Sequence, residues 1–168
     1  MDLTEMYQRA QASGINWISP VYDRKQSDLD YAKAILKIGY DNLNGDQKVD
    51  FLRGLKGCFN YTDMYRIFQD CMYLGALLGV EVTSAGEWDT GHPAKQRDYM
   101  NMCKNVSALR EAYFVYSNTE PTPNVPINSW QKVNVIEKIL YDIFAIFQAN
   151  YNAMKYTGEQ YAGGIGIL

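Results

Sequence analysis

The sequence predicts a mainly α-helical fold of about six helices, arranged like a helical bundle in two related halves and finished by a long C-terminal helix. Three observations carry this expectation. Apolar residues recur at the i, i+3, i+4, i+7 spacing of an amphipathic helix in one segment after another. Glycine and proline fall mostly between those segments, where they punctuate the chain. The longest stripe, Val133, Ile136, Leu140, Ile143, Phe144, Phe147, Tyr151 and Met154, runs for about six turns at ~3.6 residues per turn.

Taken in order, Leu3, Met6, Tyr7 and Ala10 predict a short helix over Asp2 to Ala12, which needs a partner surface because so short a helix is marginal alone. Gly14 ends it, and Ile15 to Val21, with Trp17 and Pro20, reads as an extended connector. A second helix is expected from Asp23, with Gln26 completing a capping box, a buried stripe of Leu29, Ala32, Ile35 and Leu36, and Gly39 just past its end. A third, Asn44 to Lys56, would bury Val49, Leu52 and Leu55 and close at Gly57. The fourth starts at Asn60 or Thr62 and carries Ile67, Phe68, Cys71, Met72, Leu74, Leu77 and Leu78 before Gly79; apolar residues on more than one side place it centrally.

Val80 to His92 reads as a connection, with Val80 to Thr83 short enough to pair as a strand. Pro93 suits a first helical turn and opens a fifth helix bearing Tyr99, Met102, Cys103, Val106, Leu109 and Tyr113. Three prolines between Asn118 and Pro126 forbid a helix interior. The sixth helix, capped by Asn128 or Ser129, is expected to reach about Lys155, and the remainder to form a glycine-rich tail with exposed aliphatic groups. The expected divisions are an N-terminal arm (1–22), a first helical half (23–79), a connector (80–92), a second half (93–155) and the tail (156–168). Two short echoes suggest the halves are related. Lys25-Gln26-Ser27-Asp28 returns as Lys95-Gln96-Arg97-Asp98, and Asn60 leading to Ile67 returns as Asn128 leading to Ile136, each at an offset of about 70 residues.

Composition narrows the function. The chain has 168 residues, 47% hydrophobic and 21% charged, which suits one globular domain or two small helical units sharing a core. Its net charge of −3, with acids and bases interleaved, supplies no basic stripe for nucleic acid. No apolar run spans a membrane, and Met1-Asp2-Leu3-Thr4-Glu5 lacks the basic and apolar regions of a signal peptide, so the expectation is folding in a cytoplasm. Cys58, Cys71 and Cys103 offer no close pair for a disulfide or CxxC site. One histidine, His92, leaves no two-histidine metal site and no supported catalytic triad. Gly163-Gly164-Ile165-Gly166 has no lysine or following helix to make a phosphate loop. Asp28 and Asp30 fall on different sides of a helix at i, i+2 and read as solvated charges. No catalytic residue, cofactor or metal is therefore expected, and the chain reads as a non-enzyme. What stands out is tyrosine, 14 copies beside 3 tryptophans and 6 phenylalanines, suited to half-wet interfaces and sugar-stacking surfaces. The candidate interface residues are Trp17, Tyr156, Tyr161, Ile165, Ile167 and Leu168.

Several collinear segments carry a resemblance. Asp23-Arg24-Lys25-Gln26-Ser27-Asp28 resembles an Asp-Arg-Thr-Gln-Ala-Asp-Val start. Leu55-Lys56-Gly57-Cys58-Phe59-Asn60-Tyr61-Thr62-Asp63-Met64-Tyr65-Arg66-Ile67 resembles Leu-Lys-Gly-x-x-Asn-x-Thr-Asp-Leu-Asn-Arg-Ile. Asn105-Val106-Ser107-Ala108-Leu109-Arg110 is similar to Asn-Val-x-x-Leu-Arg, and Thr122-Pro123-Asn124-Val125-Pro126 to Thr-Pro-x-x-Pro. Lys132-Val133-Asn134-Val135-Ile136-Glu137-Lys138-Ile139-Leu140 and Tyr156-Thr157-Gly158-Glu159-Gln160-Tyr161-Ala162-Gly163 resemble an Ala-Asn-x-Ile-Glu-x-Ile-Leu helix and a Tyr-Ser-Gly-Glu-x-x-Ala-Gly-Glu tail. The patterns are those of minor structural proteins from tailed bacteriophages and prophages of Gram-positive bacteria. Tyr65 and Gly164 stand where that family has Asn and Glu, and its Trp-Thr-x-x-Asp is reduced to Trp88-Asp89-Thr90. The resemblance implies a virion component of the tail, baseplate or fibre attachment, made in the host cytoplasm. It would assemble with copies of itself and other virion proteins. A receptor- or carbohydrate-binding module of the tail and a head-associated or connector protein are the alternatives.

Overall fold

The computed structural model describes residues 2–89 and 91–163, with side chains as far as residue 157. The fold is mainly α. Among the described residues there are six α-helices and no strand: α1 (Leu3–Ala12), α2 (Gln26–Ile38), α3 (Gly45–Arg53), α4 (Tyr61–Leu78), α5 (Gln96–Ala112) and α6 (Trp130–Gly163), with a 3-10 turn at Tyr40–Asn42 between α2 and α3. Val80 to Thr83 is irregular backbone rather than a strand. No described helix is long and apolar enough to cross a membrane.

α4 is the hub. It packs against α1, α5 and α6, and Met64, Ile67, Cys71, Leu74 and Leu77 are completely shielded from solvent. They meet Met102, Val106 and Leu109 of α5 and Ile136, Ile139, Leu140 and Ile143 of α6, which are equally buried. Each such aliphatic side chain contributes about 1.5–3 kcal/mol on leaving water. Asn60 starts α4 with a reciprocal cap: its side chain accepts the Asp63 backbone N–H, and its own N–H donates to Asp63 Oδ2 at 3.1 Å. The helix stops at Gly79, whose left-handed backbone (φ 70°, ψ 33°) suits a residue without a Cβ.

Several sequence expectations are corrected by the packing. Met6 and Ala10 of α1, within the 1–22 segment, lie wholly inside the main core. α1, α4, α5 and α6 share one cluster, whereas Ala32, Ile35, Leu43 and Leu55 form a satellite beneath α2 and α3. α2 begins after Lys25 instead of Asp23. The Asp28 carboxylate reaches back to the Lys25 N–H at 2.8 Å, while the Asp23 carboxylate is drawn off by Lys56 at 2.8 Å. The echoed tetrapeptide repeats this bond, Lys95 N–H to Asp98 Oδ2 at 2.7 Å, and so α5 starts at Gln96 and leaves Pro93 outside.

α3 ends at Arg53, because Gly54 takes φ 91°. Its amphipathic stripe finds no cover: Val49 is 46% and Leu52 73% exposed, and Leu36 of α2 is 57% exposed. Gly57 therefore does not terminate a helix. A Cβ there would stand 2.2 Å from the Asp28 carbonyl oxygen, so the glycine lets the α3–α4 link cross the start of α2. Finally, α6 runs eight residues beyond the expected Lys155 to Gly163, so the first part of the expected tail is helix. Ser129 caps it, its hydroxyl accepting the Lys132 N–H at 3.4 Å.

Candidate functional site

The connector between α1 and α2 lies across α4 and α6, and a buried ionic node holds it there. Arg24, 3% exposed, donates from Nη2 to Asp63 Oδ1 at 3.0 Å on α4 and approaches Glu137 Oε1 at 2.9 Å on α6. Arg66, one turn beyond Asp63, donates to the same two carboxylates: Nη2 to Asp63 Oδ1 at 2.6 Å and to Glu137 Oε1 at 2.8 Å, and Nε to Glu137 Oε2 at 2.9 Å. Glu137 is fully buried, and its Oε2 also accepts the Val21 N–H at 2.5 Å. Asn134, one turn before Glu137, accepts the Arg24 N–H at 3.3 Å and donates to the Arg24 carbonyl at 2.9 Å. Burial acts against the Arg66 charge, but the hydrogen bonds and charges of Glu137 and Asp63 outweigh it and raise its pKa above the ordinary arginine value.

Two arginines face two carboxylates, so the node is electrically balanced. A group removed from it would leave a buried charge unpaired, which costs about 3–5 kcal/mol. The residues are also those of the quoted motifs. Arg24 comes from the Asp-Arg start, Asp63 and Arg66 from the Thr-Asp-x-x-Arg-Ile stretch, and Glu137 from the Ile-Glu helix. The same holds for Asn105, which donates to and accepts from the Thr83 backbone at 2.8 and 2.9 Å, and for Arg110, which donates to the Thr119 carbonyl at 3.2 Å. These side chains fix loops to helices.

A second acid sits further along the connector. Asp70 is fully buried on α4 and accepts the Ile18 N–H at 2.8 Å, but its Oδ2 has no partner. Burial, aided by the Glu137 charge, pushes its pKa up to about 8 against the lowering effects of Ile18 and Arg66. Asp70 is therefore mostly protonated at pH 7 and adds little charge to the node beside it. At the outer side of α6, Lys138 bonds to buried Asp142, which also accepts the Thr119 hydroxyl at 2.5 Å. The Lys138 ammonium lies 5.7 Å from each of three ring centres, Tyr22, Tyr116 and Tyr141. Tyrosines from the connector, the α5–α6 loop and α6 are thereby tied at one cation.

The candidate interface residues fare differently. Trp17 stacks on Phe144 with ring centres 4.2 Å apart and tilts against Tyr73 at 5.8 Å, so much of its surface is spent closing the core. Tyr156 is 67% exposed on α6, and Met154, two residues earlier and on a different side of the helix, 37%. Tyr161 falls on the helical backbone of α6, but its side chain lies outside the described residues, as do Ile165, Ile167 and Leu168 entirely. The structure does not bring Trp17 and Tyr156 together in one patch: Trp17 sits against Phe144, three turns of α6 before Tyr156. Sequence reasoning missed the node altogether. Arg24, Asp63, Arg66 and Glu137 look like ordinary helix-surface charges, and only their recurrence in the quoted motifs could have singled them out.

α6 outruns the core that it helps to build. Among its described side chains, Phe147 is the last fully buried one and Tyr151, stacked on Tyr7 at 4.8 Å, the last half-buried one. From Gln148 to Gly163 the helix continues for about 24 Å at ~1.5 Å per residue. Residues 152–157 are exposed on every side. Comparison of the chain with protein families, with curated proteins and with solved structures gave no match.

Proposed function

We propose that the chain is a non-enzymatic structural subunit of a bacteriophage virion, placed at the tail, baseplate or fibre attachment and acting through protein–protein assembly. The observation that carries this reading is the projecting end of α6. An isolated helix end gains little stability from its own hydrogen bonds in water, and most helical stability comes from packing a face against something. Here Met154 and Tyr156 are presented on a helix that no other described element covers. A neighbouring subunit, a copy of the chain or a larger virion protein, supplies the missing surface.

The buried charges support the same reading. Arg24, Asp63, Arg66 and Glu137 bind one another and the connector backbone, which makes a stiff body from which a helix can project. The segments resembling phage minor structural proteins supply the virion context. The test is composition: particles released by the host that encodes this chain are banded on a density gradient and probed with an antibody to it. The reading expects the chain to band with intact particles in fixed proportion to the other tail proteins. Recovery only in the soluble fraction sinks it.

A further inference from the structure

Three cavities adjoin through shared lining residues around the first turn of α6. One of about 570 Å³ lies between Tyr99 and the Val125–Ile127 segment, and the next, of about 500 Å³, shares Tyr99 and Ile127 with it. That middle cavity in turn shares Trp130 and Gln131 with a third of about 390 Å³, whose far wall includes Tyr22 and Lys138. Each alone has the size of a small-molecule site. Taken together as one trough, they suit an oligomeric ligand.

The lining names the chemistry. Half-buried aromatic rings recur along it: Tyr99, then Trp130, which walls both the middle and the third cavity, then Tyr22. Trp130 belongs to none of the aromatic pairs among the described residues, so its indole faces are not spent on another ring. Between the rings stand exposed side-chain amides, chiefly Asn128, Gln131 and Asn118. An amide both donates and accepts without carrying charge. The formal charges in the lining are largely spent: Arg24 is held in the ionic node and Lys138 by Asp142, leaving Glu120 exposed at one rim. Rings that offer apolar faces, alternating with neutral groups that both donate and accept, match a pyranose, which has a C–H face and an edge of hydroxyls.

We infer that this trough binds an uncharged oligosaccharide, one sugar face on the unpaired Trp130, flanking sugars against the outer sides of Tyr99 and Tyr22, which already pack on Phe59 and Tyr141, and its hydroxyl or acetamido groups on the intervening amides. A peptide is the poorer occupant. Strand addition needs a sheet edge, and there is no strand among the described residues; helix-in-groove docking needs a dominantly apolar floor, which the amides break. The site is independent of the assembly reading, since Trp130 and the projecting end of α6 are separated by at least about 27 Å of helix.

The test is titration of the full chain with cellotetraose, maltotetraose and tetra-N-acetylchitotetraose, followed by calorimetry and tryptophan emission. At least one should bind saturably with a Kd of about 1 mM or tighter. Trp130→Ala should weaken that binding about tenfold or more while Trp130→Phe retains most of it. The double variant Asn128→Ala/Gln131→Ala, which changes only exposed side chains, should weaken it several-fold with an unchanged circular dichroism spectrum. No saturable binding of any of the three overturns the inference, as does binding that both the Trp130→Ala and the double variant leave intact. Saturation by an extended uncharged peptide, with no response to the saccharides, assigns the trough to a polypeptide and overturns it equally.

Discussion

Replacing Asp70 by Asn should make the protein more stable at pH 8 than at pH 4.5 relative to the wild type. The carboxyl is fully buried, accepts one N–H bond from Ile18 and has its other oxygen unpartnered, and its pKa rises from 3.8 to about 8 on folding. Below about pH 4 both folded and unfolded chains hold the proton, and Asp70 contributes no pH dependence. Between about pH 4 and pH 8 the unfolded chain releases it and the folded chain keeps it, so stability falls as pH rises through this window and levels off above it. Roughly four pH units at about 1.4 kcal/mol each set the upper end of the effect on the order of 5 kcal/mol. Asparagine keeps an oxygen for the Ile18 N–H and cannot ionise. Urea unfolding followed by circular dichroism at several pH values should therefore show the variant and wild type converging near about pH 4.5 and separating by several kcal/mol near about pH 8.5, with the variant ahead. A difference that does not change with pH would refute the argument, and a wild type that gains on the variant as pH rises would show that Asp70 is ionised and paired with Arg66.

Other perturbations test the rest of the structure. Glu137→Gln leaves Arg24 and Arg66 facing one carboxylate and should cost about 3–5 kcal/mol by denaturant unfolding, whereas an exposed charge such as Lys33 changed to Gln should stay within about 0.5 kcal/mol. Leu77→Ala empties a site in the centre of the core and should cost about 2–5 kcal/mol, while Leu52→Ala, 73% exposed on α3, should cost well under 1 kcal/mol; similar costs would mean that α3 is covered. Gly57→Ala should destabilise the chain although glycine-to-alanine changes often stabilise, because the added Cβ meets the Asp28 backbone at 2.2 Å. Burial raises the pKa of the Cys71 thiol far more than those of half-buried Cys58 and Cys103. A disulfide reagent applied to the native protein should leave Cys71 unmodified until unfolding, and early labelling of Cys71 would contradict the packing of α4.

The helices were legible because they are written in local chemistry. Asn60 with Asp63, Gly79 with its left-handed backbone, and the 3.6-residue stripes on α4, α5 and α6 are all consequences of neighbours in sequence. What failed was whatever depended on tertiary partners. Val49, Leu52 and Leu36 form stripes as regular as those of the core, and a stripe does not say whether another element will arrive to cover it. The start of α2 moved because Lys56, 33 residues further on, takes the Asp23 carboxylate that would otherwise cap it. The glycines near residue 158 suggested an early end to α6, yet their propensity cost of about 1 kcal/mol each is small beside a helix already nucleated and packed over its first five turns. The ionic node was least legible of all. It joins positions 39 to 116 residues apart, and each of its members looks, among its own sequence neighbours, like a solvated charge.

The central claim is that the end of α6 is the surface by which this chain enters a particle. A chain ending at Lys155, compared with the full chain and with the double variant Met154→Ala/Tyr156→Ala, tests it through one measurement: the amount incorporated into gradient-purified particles in a host lacking its own copy. All three should remain folded, with the same unfolding midpoint within about 2–4 °C, because no residue described as fully buried is touched. The account predicts normal incorporation of the full chain and a loss of about tenfold or more for both altered chains, corresponding to about 1.4 kcal/mol or more of interface energy. Full incorporation of the shortened chain and of the double variant would contradict it.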